Sequence, residues 1–107
     1  MLRAIALEPT LEQELAEALV QTADGEFLAM DPNLAAMVVD SAAEQVELAI
    51  ASGGRPVLLC SARVRRHLRM LCEQRLPQMA VCSYNEIAPG IGVETTGVIS
   101  TQQAVAV

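Results

Sequence analysis

Lysine is absent from this sequence: all seven basic residues are arginine, set against thirteen acidic residues for a formal net charge of −6. A chain of that sign lacks the basic surface that a non-specific nucleic-acid partner needs. Tryptophan is absent too, with one Phe and one Tyr. Single-stranded nucleic acid and sugar sites rely on aromatic stacking, so that scarcity argues against both. There is one histidine, which rules out any paired-imidazole chemistry. Cysteine is present three times, as Cys60, Cys72 and Cys82, each in an apolar setting. An odd count without a signal-peptide pattern reads as reduced, buried thiols of a cytoplasmic domain. Uninterrupted apolar runs such as Leu34 to Val39 fall far short of the roughly 20 residues needed to cross a bilayer.

What remains is enough for a core. The 107 residues are 52% apolar, so one domain with an aliphatic interior of Leu, Val, Ile, Ala and Met is expected. The organising stretch is Arg55 to Ile87. There a short apolar run, Val57-Leu58-Leu59-Cys60, precedes a helical pattern and a second run, Met79-Ala80-Val81-Cys82. Breakers bound both runs, Gly53-Gly54 and Pro56 before the first and Pro77 before the second, which marks a parallel βαβ unit.

Upstream, Arg3 to Leu7 reads as a strand. Thr10-Leu11-Glu12-Gln13 fits a capping box opening a helix over about residues 11–22, with Leu11, Leu15, Ala18 and Leu19 on one face. Thr22 to Met30 reads as a turn, with Gly25 at positive φ and with Phe27 and Leu28 folding back on the core. Asp31-Pro32 starts a second helix that Gly53 stops. That helix is apolar over half its girth; only Asp40, Glu44 and Glu47 make a polar stripe, so it should pack against two surfaces. Val93 to Ser100 is β-branched and reads as an edge strand in a hairpin-like end, with Gly97 a candidate bulge. The expected fold is a single α/β domain over residues 1–107, with a mainly parallel sheet in the order β-α-α-β-α-β-β.

Chemistry is harder to find. Cys60, His67, Cys72 and Cys82 match no compact zinc spacing; by helical angle Cys72 joins Val64, Leu68 and Leu71 facing the core, and His67 lies at the margin. Cys60 is the best-placed thiol, yet no second base accompanies it. Ser61 lies outside any G-x-S-x-G elbow and suits the N-cap of the third helix. No glycine follows Cys60, so a phosphate loop is missing. No catalytic, metal-ligating or cofactor-binding residue is therefore assigned. The densest charge is Arg63, Arg65, Arg66 and Arg69 on the third helix, with Glu73 spaced to pair with Arg69. These arginines read either as a solvated face or as a docking face for an acidic partner, including the helix bearing Asp40, Glu44 and Glu47 in an adjacent copy.

The order of these segments resembles a known family. Val57-Leu58-Leu59 leading through Arg63 to Arg69 into Leu76-Pro77-Gln78, then Val81-Cys82-Ser83-Tyr84-Asn85-Glu86-Ile87, is similar to the C-terminal cytoplasmic region of the type III secretion export gates. These are the major export apparatus proteins of flagella and injectisomes. Arg3 to Glu14 looks like the start of their last subdomain, while Ser83-Tyr84 and Gly97-Val98-Ile99 look like the injectisome branch. Cys82 departs from the family's usual Leu.

The resemblance implies a non-enzymatic subdomain of a larger inner-membrane protein, lying at the cytoplasmic face. It implies a homo-oligomeric ring, an ATPase stalk partner, and export substrates, chaperones and a gatekeeper bound mainly through other subdomains. Membrane contact would come only through a transmembrane half outside this sequence. The competing reading is a small α/β enzyme or ligand-binding domain using the loops at the C-terminal strand ends, with Ser61, Arg63 and Ser83 as its candidates.

Overall fold

Four short apolar strands line up side by side and all run the same way. In the computed structural model, which describes residues 2–77 and 79–100, the main sheet has the order β5-β4-β1-β6. Its strands are β1 (Leu2–Leu7), β4 (Val57–Cys60), β5 (Ala80–Ser83) and β6 (Val93–Ile99). Register fixes which side chains share a face: Ile5 pairs with Leu58 and Leu58 with Val81. That row is buried, and it belongs to the core cluster together with Leu11 and Leu15 of α1 (Pro9–Glu17), Val38, Ala42 and Val46 of α2 (Pro32–Ala51), and Val64, Leu68 and Cys72 of α3 (Ala62–Cys72). α3 packs on β5, α2 on β6, and both α1 and α2 touch α3.

The mainly parallel α/β class agrees with the sequence reading, but three local expectations fail. The first helix begins at Pro9, and Glu8 caps it: its carboxylate accepts from the Thr10 and Leu11 amides, both at 3.1 Å. Proline lacks an N–H and has a preset φ, so it takes the first helical position and leaves Thr10 inside the helix.

That helix also ends at Glu17, five residues early, because the following residues pair elsewhere. β2 (Leu19–Thr22) and β3 (Gly25–Leu28) form an antiparallel hairpin where a turn was expected. Its tip is Ala23-Asp24, Gly25 follows at the start of β3 with φ +124°, and the Ala29 amide closes the base on the Ala18 carbonyl at 2.8 Å. Alternation then sends Leu19 and Leu28 onto the core and leaves Val20 and Phe27 outside, so Phe27 does not fold back.

The third failure is at the end of the chain. β6 forms no hairpin with β5; it crosses to the opposite edge and pairs parallel with β1, burying Ile99 beside Leu7. The bulge falls at Thr96, one residue before Gly97, where the register shifts between Ala4 and Ile5. Gly97 has its own reason: α2 lies so close that a Cβ there would strike the Gln45 side chain. Gln78 of the Leu-Pro-Gln segment and residues 101–107 lie outside the described residues.

The second helix follows expectation. Asp31 accepts from the Asn33 amide at 2.7 Å, Pro32 stands at the first position, and Gly53 follows Ser52 at φ +84°. Its wide apolar surface is only half covered, with Met37, Leu48 and Ile50 exposed. Leu58→Ala should therefore destabilise by about 2–5 kcal/mol, whereas Leu48→Ala should stay within about 0.5 kcal/mol of the parent; urea unfolding midpoints measure both.

Candidate functional site

α3 owes its orientation to spacing. Val64, His67, Leu68 and Cys72 are buried, which turns Arg63, Arg66, Arg69 and Met70 outward. No acidic residue lies on the helix, so it carries four positive charges in a chain of net −6.

The four arginines are not equivalent. Arg65 Nε lies 3.1 Å from Glu86 Oε1 and is held against the turn of 3-10 helix at Tyr84–Glu86. Arg63 faces Glu26 of β3 at 4.0 Å. Arg66 and Arg69 have no ion pair among the described residues, and the Arg69–Glu73 pair suggested by spacing does not form. The acidic candidates divide in the same way. Asp40 is bound by Arg75 at 2.8 Å, while Glu44 and Glu47 stand exposed without an ion pair among the described residues. Sequence reasoning missed Glu26, Arg75 and Glu86. Glu26 could not be placed without the hairpin, whereas Arg75 and Asp40 are joined only by the packing of α2 on α3.

His67 is more than marginal. It is 6% exposed and its Nε2 lies 3.1 Å from Glu26 Oε1, tying the hairpin to α3. The three thiols are free, and no group of three His, Cys, Asp or Glu among the described residues is placed to hold a metal ion.

At the C-terminal strand ends, the Ser61 amide and both the amide and the hydroxyl of Ser83 already have partners. Ser61 stands at the N-cap position of α3 but makes no side-chain cap; its amide donates to Glu12 Oε2 at 2.9 Å. Ser83 donates its amide to Glu86 Oε1 at 2.9 Å, and its hydroxyl donates to the same oxygen at 2.8 Å. Those bonds from Ser83, with Arg65 adding, hold the Glu86 carboxyl below its ordinary 4.5. Burial, aided by Glu12, pushes the Cys60 thiol up to about 12, and burial alone takes Cys72 to about 11. A thiol so raised is the reverse of an activated nucleophile.

Comparisons with known proteins bear on the family and the fold. The model of the FHIPEP family matches residues 1–92. The chain belongs to the FHIPEP family. It is 35% identical over 95 residues to the flagellar biosynthesis protein FlhA of Caulobacter vibrioides, covering 89% of this chain and 14% of that protein. It is also 31% identical over 87 residues to the invasion protein InvA of Salmonella typhimurium, covering 81% of this chain and 13% of that protein. Among solved structures, the complex of Chlamydia pneumoniae CdsV with CdsO gives a TM-score of 0.80 at 36% identity, over 92% of this chain and 29% of that one. The nonameric SctV-C of EPEC gives 0.77 at 22% identity, over 92% and 29%, and shows the fold. The chain thus spans about a seventh of the length of these curated FHIPEP relatives. No helix among its described residues is long and apolar enough to cross a membrane.

Two outcomes test this description. Native protein treated with iodoacetamide at pH 8 should react at Cys82, which is partly exposed, before Cys60 or Cys72; equal rates would contradict the burial of the latter pair. The depressed Glu86 carboxyl contributes stability above its ordinary value, and that stability is lost as pH falls through the folded-state value. The gap in urea midpoint between the parent and Glu86→Gln should accordingly be steady near neutrality and close as pH drops below 4.5.

Proposed function

We propose that this chain is a non-enzymatic docking and assembly subdomain of a type III secretion export gate. In this reading it is the last cytoplasmic subdomain of a larger protein anchored in the bacterial inner membrane. Its partners are neighbouring protomers of a homo-oligomeric ring and the stalk protein of the secretion ATPase. Export substrates, chaperones and the gatekeeper engage mainly other subdomains of the same protein. Support comes from the relatives: SctV-C is a nonamer, and CdsV is found in complex with CdsO.

The observation that carries the reading is the pair Arg66 and Arg69. Both are exposed and without an ion pair among the described residues, on a helix with no acid, in an acidic chain. A helix face that is merely solvated gains nothing from such segregation, whereas an acidic partner is steered to it. Arg63, Arg65 and Asp40 are assigned to internal ties, which leaves Glu44 and Glu47 as the acidic counterpart that α2 offers to a neighbour. Strand-end chemistry is disfavoured because the Ser83 hydroxyl is already bonded to Glu86 and the Cys60 thiol is raised to about 12.

Titration calorimetry with the ATPase stalk protein of the same secretion system tests the reading. Arg66→Glu with Arg69→Glu should weaken binding roughly tenfold or more, with a loss that shrinks at high salt; Arg3→Glu should leave it unchanged. Unchanged binding of the double variant would remove the two arginines from the interface.

A further inference from the structure

The hairpin, invisible in the sequence, creates a groove. Between β3 and α3 lies a depression of about 710 Å³ walled by Phe27, Leu28, Met30, Met70 and Leu71, with Arg66 on its rim. A second depression of about 430 Å³ continues from it between α2 and α3, over Ala36, Val39 and Gln74. The two share Ala35 and Leu71, so they adjoin along α3. Along α3 from Arg66 to Cys72 they span roughly 9 Å, taking the helical rise of about 1.5 Å per residue; that is a little under two turns of another helix.

We propose that this groove receives an acidic amphipathic helix of a partner protein, an inference that rests on the export-gate reading and names where and how a partner docks. Three features select that occupant. The floor is apolar, and its large residues are left uncovered: Met70 is 63% exposed and Phe27 52%. Contiguous exposed apolar surface of this kind, rimmed by charge, marks an interaction site. Ala35 and Ala36 are small, so a second helix can approach α2 closely and set residues spaced i, i+3, i+4 and i+7 along the groove.

Charge gives the orientation. Arg66 lines the α3 side without an ion pair among the described residues, and Arg69 stands one turn further along the outer face. Asp24 lines the hairpin side, and the Glu26 carboxylate there is engaged by His67 and faced by Arg63. The carboxylates of the incoming helix therefore lie against α3, and its basic or neutral flank lies against the hairpin. The Asp40–Arg75 pair closes the far end of the groove.

The test uses two labelled 18-residue helical peptides with the same leucine stripe and one neutral Gln flank, the other flank being Glu in one peptide and Lys in the other, read by fluorescence anisotropy. The Glu peptide should bind about tenfold more tightly than the Lys peptide. Met70→Asp and Ala36→Gln, both at exposed positions and checked for unchanged melting, should each weaken the Glu peptide about tenfold. Equal binding of the two peptides, or binding unmoved by both substitutions, overturns the proposal. So does sedimentation showing that the chain pairs with itself through this groove, since the occupant would then be a second copy. The stalk protein provides the separate arm. If it binds the parent and loses affinity with Arg69→Glu but not with Met70→Asp, the export-gate reading stands and the groove is refuted. If the stalk protein fails to bind at all while the Glu peptide binds as described, the groove stands and the stalk assignment falls.

Discussion

The row of apolar side chains Ile5, Leu58 and Val81, one on each of three adjacent parallel strands, must be covered, and helices are what cover it. Burying one such side chain contributes roughly 1.5–3 kcal/mol, while an exposed ion pair contributes about 0–1. Apolar spacing, not charge, therefore sets the rotation of α3. Once Val64, His67, Leu68 and Cys72 face inward, Arg66, Arg69 and Met70 have nowhere to go but out. The proposed docking surface is thus a consequence of the core, and the arginines on it can be changed without disturbing the fold.

Polar ties do a different job. The Glu12 carboxylate on the Ser61 amide joins α1 to the start of α3, and Glu86 on Ser83 folds the chain over the end of β5. Among the described residues no buried side-chain polar atom lacks a partner. In an open parallel sheet the carboxyl ends of the strands are where ligands usually enter. Here Glu12 and Glu86 occupy the Ser61 and Ser83 amides at those ends, while the larger exposed apolar side chains include Met37, Leu48, Ile50 and Met70 on the helices. His67 with Glu26 extends the same logic to the hairpin, placing it beside α3 and so building one wall of the groove.

Much of this was legible in the residues themselves. Asp31-Pro32 and Gly53 bracket α2 because capping and positive φ are local physics, and the two apolar runs around α3 announce a parallel pair. The order of Val57 to Leu59, Arg63 to Arg69, Leu76-Pro77-Gln78 and Val81 to Ile87 carried the family. What could not be read were pairings decided by distant residues. Leu19–Thr22 continues the helical pattern of α1 until Gly25–Leu28 competes for it as a strand, and nothing in Val93–Ile99 says that β1 will be its neighbour instead of β5. For the same reason the arginine face was visible as a charge cluster, but its division into Arg65, engaged by Glu86, and Arg66 and Arg69, without an ion pair among the described residues, was not.

Hydrogen–deuterium exchange of the chain with and without the secretion ATPase stalk protein tests the central claim most directly, namely that this domain works through its helix-and-hairpin surface and not through its strand ends. The account predicts slowed exchange in α3, in β3 and in the first half of α2, with residues 83–87 unchanged. Slowed exchange confined to residues 83–87 and the start of α3 at Ser61, with β3 and α2 unaffected, would contradict it.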